Sequence, residues 1–352
     1  MSCLKKWKPI FAMIIVEFAF AAVNALFKKV LNGGLDQLVA STYRLAVSAI
    51  FLAPLAWYFE RNLASKLTAR IICSLFFSAL LGSTLTQYFF LVGLEYTSTT
   101  FSCAFLNMVP VITFVMAVLI RQETVNIKCK SGRAKLLGTL FCLGGALTLT
   151  LYKGITLINP SASSTIETDH NKRSWLLGSI FLFAGCFVWS AWFLLQARIS
   201  KDYPYQYSST AIMSFFGSIQ SAILSFIINR DLSKWILKGG LEILSVIFGG
   251  MVGSGFCYVV MSWCVNQKGA VFTSAFSPLI QIFAAVFDVT ILHAQIHLGS
   301  ILGSIFVVIG LYILLWAKSK EAEIRKNPET AEQNGQIVLP ITASPPHIEG
   351  HK

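Results

Sequence analysis

Long uncharged apolar runs alternate along the chain with short polar segments rich in cations. No Asp, Glu, Lys or Arg occurs at 71–94, 96–120, 174–197, 203–229, 243–267 or 269–287. Each run is near the roughly 20 residues that cross about 30 Å of hydrocarbon at about 1.5 Å per residue. The pattern predicts ten membrane-spanning helices, at 9–30, 37–58, 71–93, 99–120, 134–152, 175–197, 207–228, 242–264, 270–292 and 298–317. From Gly269 to Ala317 the only charge is Asp288, and the stretch is too long for one crossing. The polar break at His293, Gln295, His297 and Gly299 divides it into spans nine and ten. Beyond Ala317 the chain turns polar, so 318–352 is expected to be a disordered cytoplasmic tail. Residues 1–8 form a short cytoplasmic N-terminus, and 153–174, carrying Pro160 with several Ser and Thr, reads as a mobile loop between two halves.

Composition agrees with the bilayer reading and adds an orientation. Hydrophobic residues make up 55% of the chain and charged residues only 12%, against roughly a quarter in soluble domains. With the N-terminus inside, 19 Lys and Arg fall on the cytoplasmic side and eight outside, with Arg44 within a span; this bias predicts cytoplasmic termini. The net charge of +12 is thereby explained by loops, with no basic and aromatic patch suited to nucleic acid. The apolar stretch after Lys5, Lys6 and Lys8 is too long for a secretory h-region and reads as a retained first span. Six of the eight cysteines lie in apolar runs and no Cys-x-x-Cys pair occurs, so they read as packing residues, with no metal ligand set.

The halves share a pattern. Pro110 in span four and Pro278 in span nine are 168 residues apart, and Gly82-Ser83 and Gly253-Ser254 take nearly matching places in spans three and eight. Five spans per half is an odd number, so the second half (175–317) should run inverted relative to the first (9–152). Inverted repeats with interrupted helices at matching positions are a transporter pattern.

Ionisable and polar residues inside a bilayer need a reason, since a charge there costs about 2.5–3.5 kcal/mol on insertion scales. Glu17 lies mid-span with Asn24 two turns later on the same face, a polar stripe suited to a substrate ammonium or a proton; a buried structural Glu is the alternative. Arg44 has three readings: a fork for a substrate carboxylate, a partner for Glu17, or snorkelling to the outer surface. Asp288 reads as solvated at the outer end of span nine. Pro110 and Pro278 cannot donate to the carbonyls of Leu106 and Ser274, leaving acceptors or hinges beside Asn107 and Ser277. Trp189, Trp192 and Gln196 share one face of span six, as an aromatic cavity lining with a polar end or as an interfacial belt. Gln87, Tyr88 and Tyr258 are further cavity candidates.

Several stretches together resemble a known family. They are Leu26-Phe27-Lys28-Lys29, Ser41-Thr42-Tyr43-Arg44-Leu45, Gly93-Leu94-Glu95-Tyr96-Thr97-Ser98, Asn107-Met108-Val109-Pro110-Val111, Trp192-Phe193-Leu194-Leu195-Gln196 and Phe276-Ser277-Pro278-Leu279. The chain resembles the plant nodulin-21-like, or Walls-Are-Thin-related (UMAMIT), group of EamA-domain proteins in the drug/metabolite transporter superfamily. The resemblance covers about 8–320 and implies ten helices in two EamA repeats, a plant source, and carriage of small organic solutes such as amino acids or, in one branch, auxin. One departure stands out. The family commonly carries a Glu between spans nine and ten, where this chain has His293-Ala294-Gln295; the first half keeps an acid at Glu123.

Enzyme chemistry lacks support: no Ser/His/Asp set, no His-Glu-x-x-His and no phosphate-binding glycine loop are present in the sequence. The expectation is therefore an all-α secondary transporter or facilitator without cofactor. Its partners are the lipid bilayer, a small organic solute and, as a candidate, protons, in the plasma or vacuolar membrane. A non-transporting receptor or scaffold is the alternative.

Overall fold

The computed structural model describes residues 2–61, 67–97, 102, 105–123, 130–151, 156–158, 172–228, 232–237, 239–292 and 296–326. Among these the protein is a helical bundle. The first-half helices are α1 (Ser2–Asn32), α2 (Gln37–Glu60), α3 (Ala69–Tyr96), α4 (Val109–Leu119) and α5 (Lys130–Leu151). The second half comprises α6 (Lys172–Asp202), α7 (Gln206–Ile228), α8 (Gly240–Lys268), α9 (Ala270–Ser274), α10 (Leu279–Leu292) and α11 (Leu298–Lys326). Among the described residues seven helices are long and apolar enough to cross a membrane, and Val109–Leu119 and Leu302–Ala317 are shorter apolar helices.

The bundle is apolar outside, and within it small and polar side chains are buried alongside a large apolar core. Phe11, Ile15 and Phe18 on α1, and Ile219, Ile223 and Phe226 on α7, are exposed, while Ser209, Ser214, Ser221 and Ser225 of α7 are buried. Lipid offers no hydrophobic drive between helices, so small side chains and interhelical hydrogen bonds fill the contacts. The α5–α11 pair is the extreme case. A Cβ added at Gly310 would stand 2.5 Å from the backbone nitrogen of Cys142, and one at Gly145 would stand 2.6 Å from that of Val307.

Contacts between helices come in corresponding sets. α2 packs on α7 and α5 on α11, while α3 with α6 mirrors α8 with α1, and α4 with α6 mirrors α10 with α1. Ser48 of α2 and Ser214 of α7 share a hydrogen bond of 3.1 Å at 166 residues' separation. Two irregularities are repeated as well. α3 contains a π-helical segment at Leu80–Leu85 and α8 one at Gly249–Cys257, the places of the paired Gly-Ser motifs. The helical path breaks at Asn107–Met108 before α4, and at Ala275–Pro278 between α9 and α10.

Three boundaries differ from the sequence expectation. α1 already begins at Ser2, running through Pro9 rather than starting there. α11 continues past Ala317 to Lys326, because Lys318–Lys326 is rich in the strong helix formers Lys, Glu, Ala and Arg; the rest of the expected tail lies outside the described residues. Within the inter-repeat loop, Thr156–Ile158 (β1) pairs antiparallel with Ile296–His297 (β2), matching Thr156 to His297 and Ile158 to Ile296. β-branched Thr156, Ile158 and Ile296 favour that extended pairing. His293 and Ala294 lie outside the described residues.

Candidate functional site

The interior between the halves is built around α6. Trp189 and Trp192 are one turn apart and stack with centroids 4.8 Å apart and planes 15° from parallel. Tyr258 of α8 meets both edge-on, at 6.2 Å and 5.4 Å, and Phe20 of α1 meets Tyr258 at 6.1 Å. Trp192 is 1% exposed; its Nε1 donates to Sδ of Met213 at 3.4 Å. The π segment of α3 makes room for it: a Cβ on Gly82 would stand 2.3 Å from Cδ1 of Trp192. The Tyr258 hydroxyl donates to the Gly82 carbonyl at 3.5 Å. This cluster therefore sits inside the bundle and not in an interfacial belt.

One turn past Trp192, Gln196 has both ends of its amide occupied. Ser78 Oγ of α3 donates to its Oε1 at 3.3 Å, and its Nε2 donates to Ser262 Oγ of α8. Ser262 in turn donates to Gln206 Oε1 at the start of α7. Glu60, at the last residue of α2, accepts from the backbone nitrogens of Tyr207 and Ser208 at 2.9 and 2.8 Å and from the Ser208 hydroxyl. A carboxylate there satisfies first-turn N–H groups and suits the positive end of α7. Cys264 donates to the Pro9 carbonyl at 3.7 Å at the same end. We term this the near end; six helices of both halves are tied together there. Sequence reasoning missed Glu60, Ser78, Gln206 and Ser262, whose only signal is a polar residue at the edge of a span.

Glu17 is 4% exposed, and among the described residues nothing hydrogen-bonds or ion-pairs with its carboxyl. Its surroundings are apolar: Cys257 Sγ donates to the neighbouring Val16 carbonyl at 3.9 Å, and Phe20 one turn on meets Tyr258. Asn24, on the same helical face, is exposed. Arg44 is half-buried, with its guanidinium carbon 5.6 Å from the Phe27 ring centroid and its Nε buried without a hydrogen bond. No described carboxylate is within ion-pair range of it, so Arg44 and Glu17 are not partners.

At the α4 break, Asn107 is 1% exposed and donates from Nδ2 to Gln281 Oε1 of α10 at 3.0 Å, a partner the sequence did not reveal. Pro110 stands in the first turn of α4, where its missing N–H has no helical partner to lose. Carbonyls at the break are used by α6: Cys186 Sγ donates to Phe105 at 3.0 Å and Ser190 Oγ to Val109 at 3.3 Å. Pro278 closes the turn before α10, with Ser277 half-buried beside it. Both prolines thus stand at breaks in the helical path, Pro110 just after the turn at Asn107–Met108 and Pro278 at the end of the turn at Ala275–Pro278. Gln87 and Tyr88 are half-buried on α3, and the side chain of Asp288 lies outside the described residues. Glu123 Oε1 accepts from buried Lys135 Nζ at 2.7 Å, anchoring the start of α5.

Comparison with known proteins gives these features a family. The EamA-like transporter family matches residues 7–151 and 176–316, one copy per half. WAT1-related protein At3g30340 of Arabidopsis thaliana is 54% identical over 324 residues, covering 90% of this chain and 89% of that protein. WAT1-related protein At4g01440 of the same plant is 48% identical, covering 90% and 88%. A protein crystal structure shares the fold with a TM-score of 0.64 at 13% identity, covering 86% of this chain and 97% of the other. The chain is an integral membrane protein of the EamA-like transporter family and belongs to its plant WAT1-related (UMAMIT) group.

Proposed function

We propose that the chain is a secondary transporter or facilitator of amino acids or related metabolites, with auxin-like acids as a second substrate class, working by alternating access. The observation that carries this reading is a carboxyl, Glu17, held in an aromatic interior between two repeats with no hydrogen bond among the described residues. A buried acid without a protein partner calls for a mobile one, a substrate ammonium or a proton. Trp189, Trp192 and Tyr258 supply faces for an apolar or cationic solute, while Asn107, Ser277, Gln87, Tyr88, Asn24 and Gln196 supply polar contacts along the path. Arg44, with no described carboxylate in ion-pair range, suits the acid group of the solute.

In this reading the ten spans form two inverted five-helix repeats, with Pro110 and Pro278 at their hinges. Both termini are cytoplasmic, in the plasma or vacuolar membrane, and the near end faces the cytoplasm. The tied near end then corresponds to a state closed toward the cytoplasm, and breaking its hydrogen bonds is part of the exchange. Purified protein in proteoliposomes is the test, using labelled amino acids and auxin with and without a pH gradient. Flux should be measurable, and Glu17→Gln and Asn107→Ala should each lower it about tenfold or more, the loss of one charge-assisted or buried hydrogen bond. Tight vesicles with folded protein and no flux for either solute class would refute the proposal.

A further inference from the structure

A second site lies at the near end. Between the start of α3 and the end of α6 is a cavity of about 230 Å³, lined by Arg70, Ser74, Leu195, Arg198, Ile199 and Asp202 among others. Its level in the membrane follows from the sequence. Arg70 immediately precedes the uncharged run 71–94, and Arg198 immediately follows the uncharged run 174–197. Both helices therefore leave the hydrocarbon at the cavity, with Ile71 and Leu195 on its apolar side and the arginines at headgroup depth. Neither arginine is ion-paired with Asp202 or with any other described carboxylate. One arginine comes from each repeat.

Two unpaired guanidinium forks converging on a concave site at the membrane surface match the oxygens of a phosphate. Basic pockets between membrane helices bind anionic headgroups by this chemistry. We propose that this cavity binds the phosphodiester headgroup of an anionic phospholipid, which braces α3 of one repeat against α6 of the other. Asp202 shares the cavity, so a singly charged diester fits better there than a doubly charged phosphomonoester.

The test uses the full-length protein in nanodiscs of equal phosphatidylglycerol and phosphatidylcholine, extracted into detergent with retained lipid read by native mass spectrometry. Phosphatidylglycerol should be retained in preference, and Arg70→Ala with Arg198→Ala should reduce its retention about tenfold. Should that pair fail to fold, Arg70→Lys with Arg198→Lys keeps the charge but loses the forks, and retention should fall by a smaller factor. Asp202→Asn should raise retention of phosphatidic acid relative to phosphatidylglycerol. Equal retention of both lipids by the wild type, or undiminished retention by a folded variant, would overturn the proposal. Displacement of the lipid by millimolar inorganic phosphate would assign the site to a free anion and equally overturn it.

Discussion

At the scale of single residues, the interior depends on what is missing as much as on what is present. Gly82 leaves the space that the Trp192 indole fills, with an added Cβ falling 2.3 Å from its ring. Gly82→Ala should therefore cost about 1–3 kcal/mol by overpacking. It should be read as a lower melting temperature in detergent, together with altered tryptophan fluorescence. An unchanged melting temperature would mean that the π segment of α3 yields freely. Some of this site was legible beforehand. The i, i+3 spacing of Trp189 and Trp192 placed both on one face, and an acid at Glu17 inside an apolar run had to be accounted for. The Asn107–Gln281 bond was not legible, because an uncharged amide in a span gives no indication of its partner 174 residues on.

At the scale of elements, the charge-free runs located the helices well, since hydrocarbon excludes charge whatever the tertiary contacts. The π segments escaped, because a shift in hydrogen-bond register changes no hydrophobic period strongly; only the paired Gly-Ser motifs marked them. The helix continuing to Lys326 escaped for a different reason, polarity being a guide to membrane depth and not to helicity. The capping of α7 by a residue of α2 belongs to this scale too. Glu60→Ala should cost about 0.5–2 kcal/mol, the ordinary worth of a cap. It should speed hydrogen exchange at the amides of Tyr207 and Ser208 while leaving the amides at the far end of α7 unaffected. Equal exchange in both proteins would show that the cap is dispensable.

At the scale of the whole molecule, the two halves meet through corresponding contacts and are tied together at the near end. The near end carries the chain of bonds from Ser78 through Gln196 and Ser262 to Gln206. Removing its middle with Gln196→Ala and Ser262→Ala should loosen that end. Cys264, fully buried and bonded to Pro9 there, serves as reporter. In a background with the other cysteines changed to serine, its labelling by a water-soluble maleimide should quicken several-fold; an unchanged rate would mean that the aromatic cluster alone keeps that end closed.

The contact between Ser48 and Ser214 has a different consequence. Two identical hydroxyls facing each other from equivalent places cannot both donate, and either can be the donor. The bond therefore has two settings, one with each hydroxyl as donor, related by exchanging the halves. Any rearrangement that swaps the roles of the two repeats can thus keep this bond by turning both hydroxyls. It holds α2 to α7 without favouring either arrangement, as a pivot does.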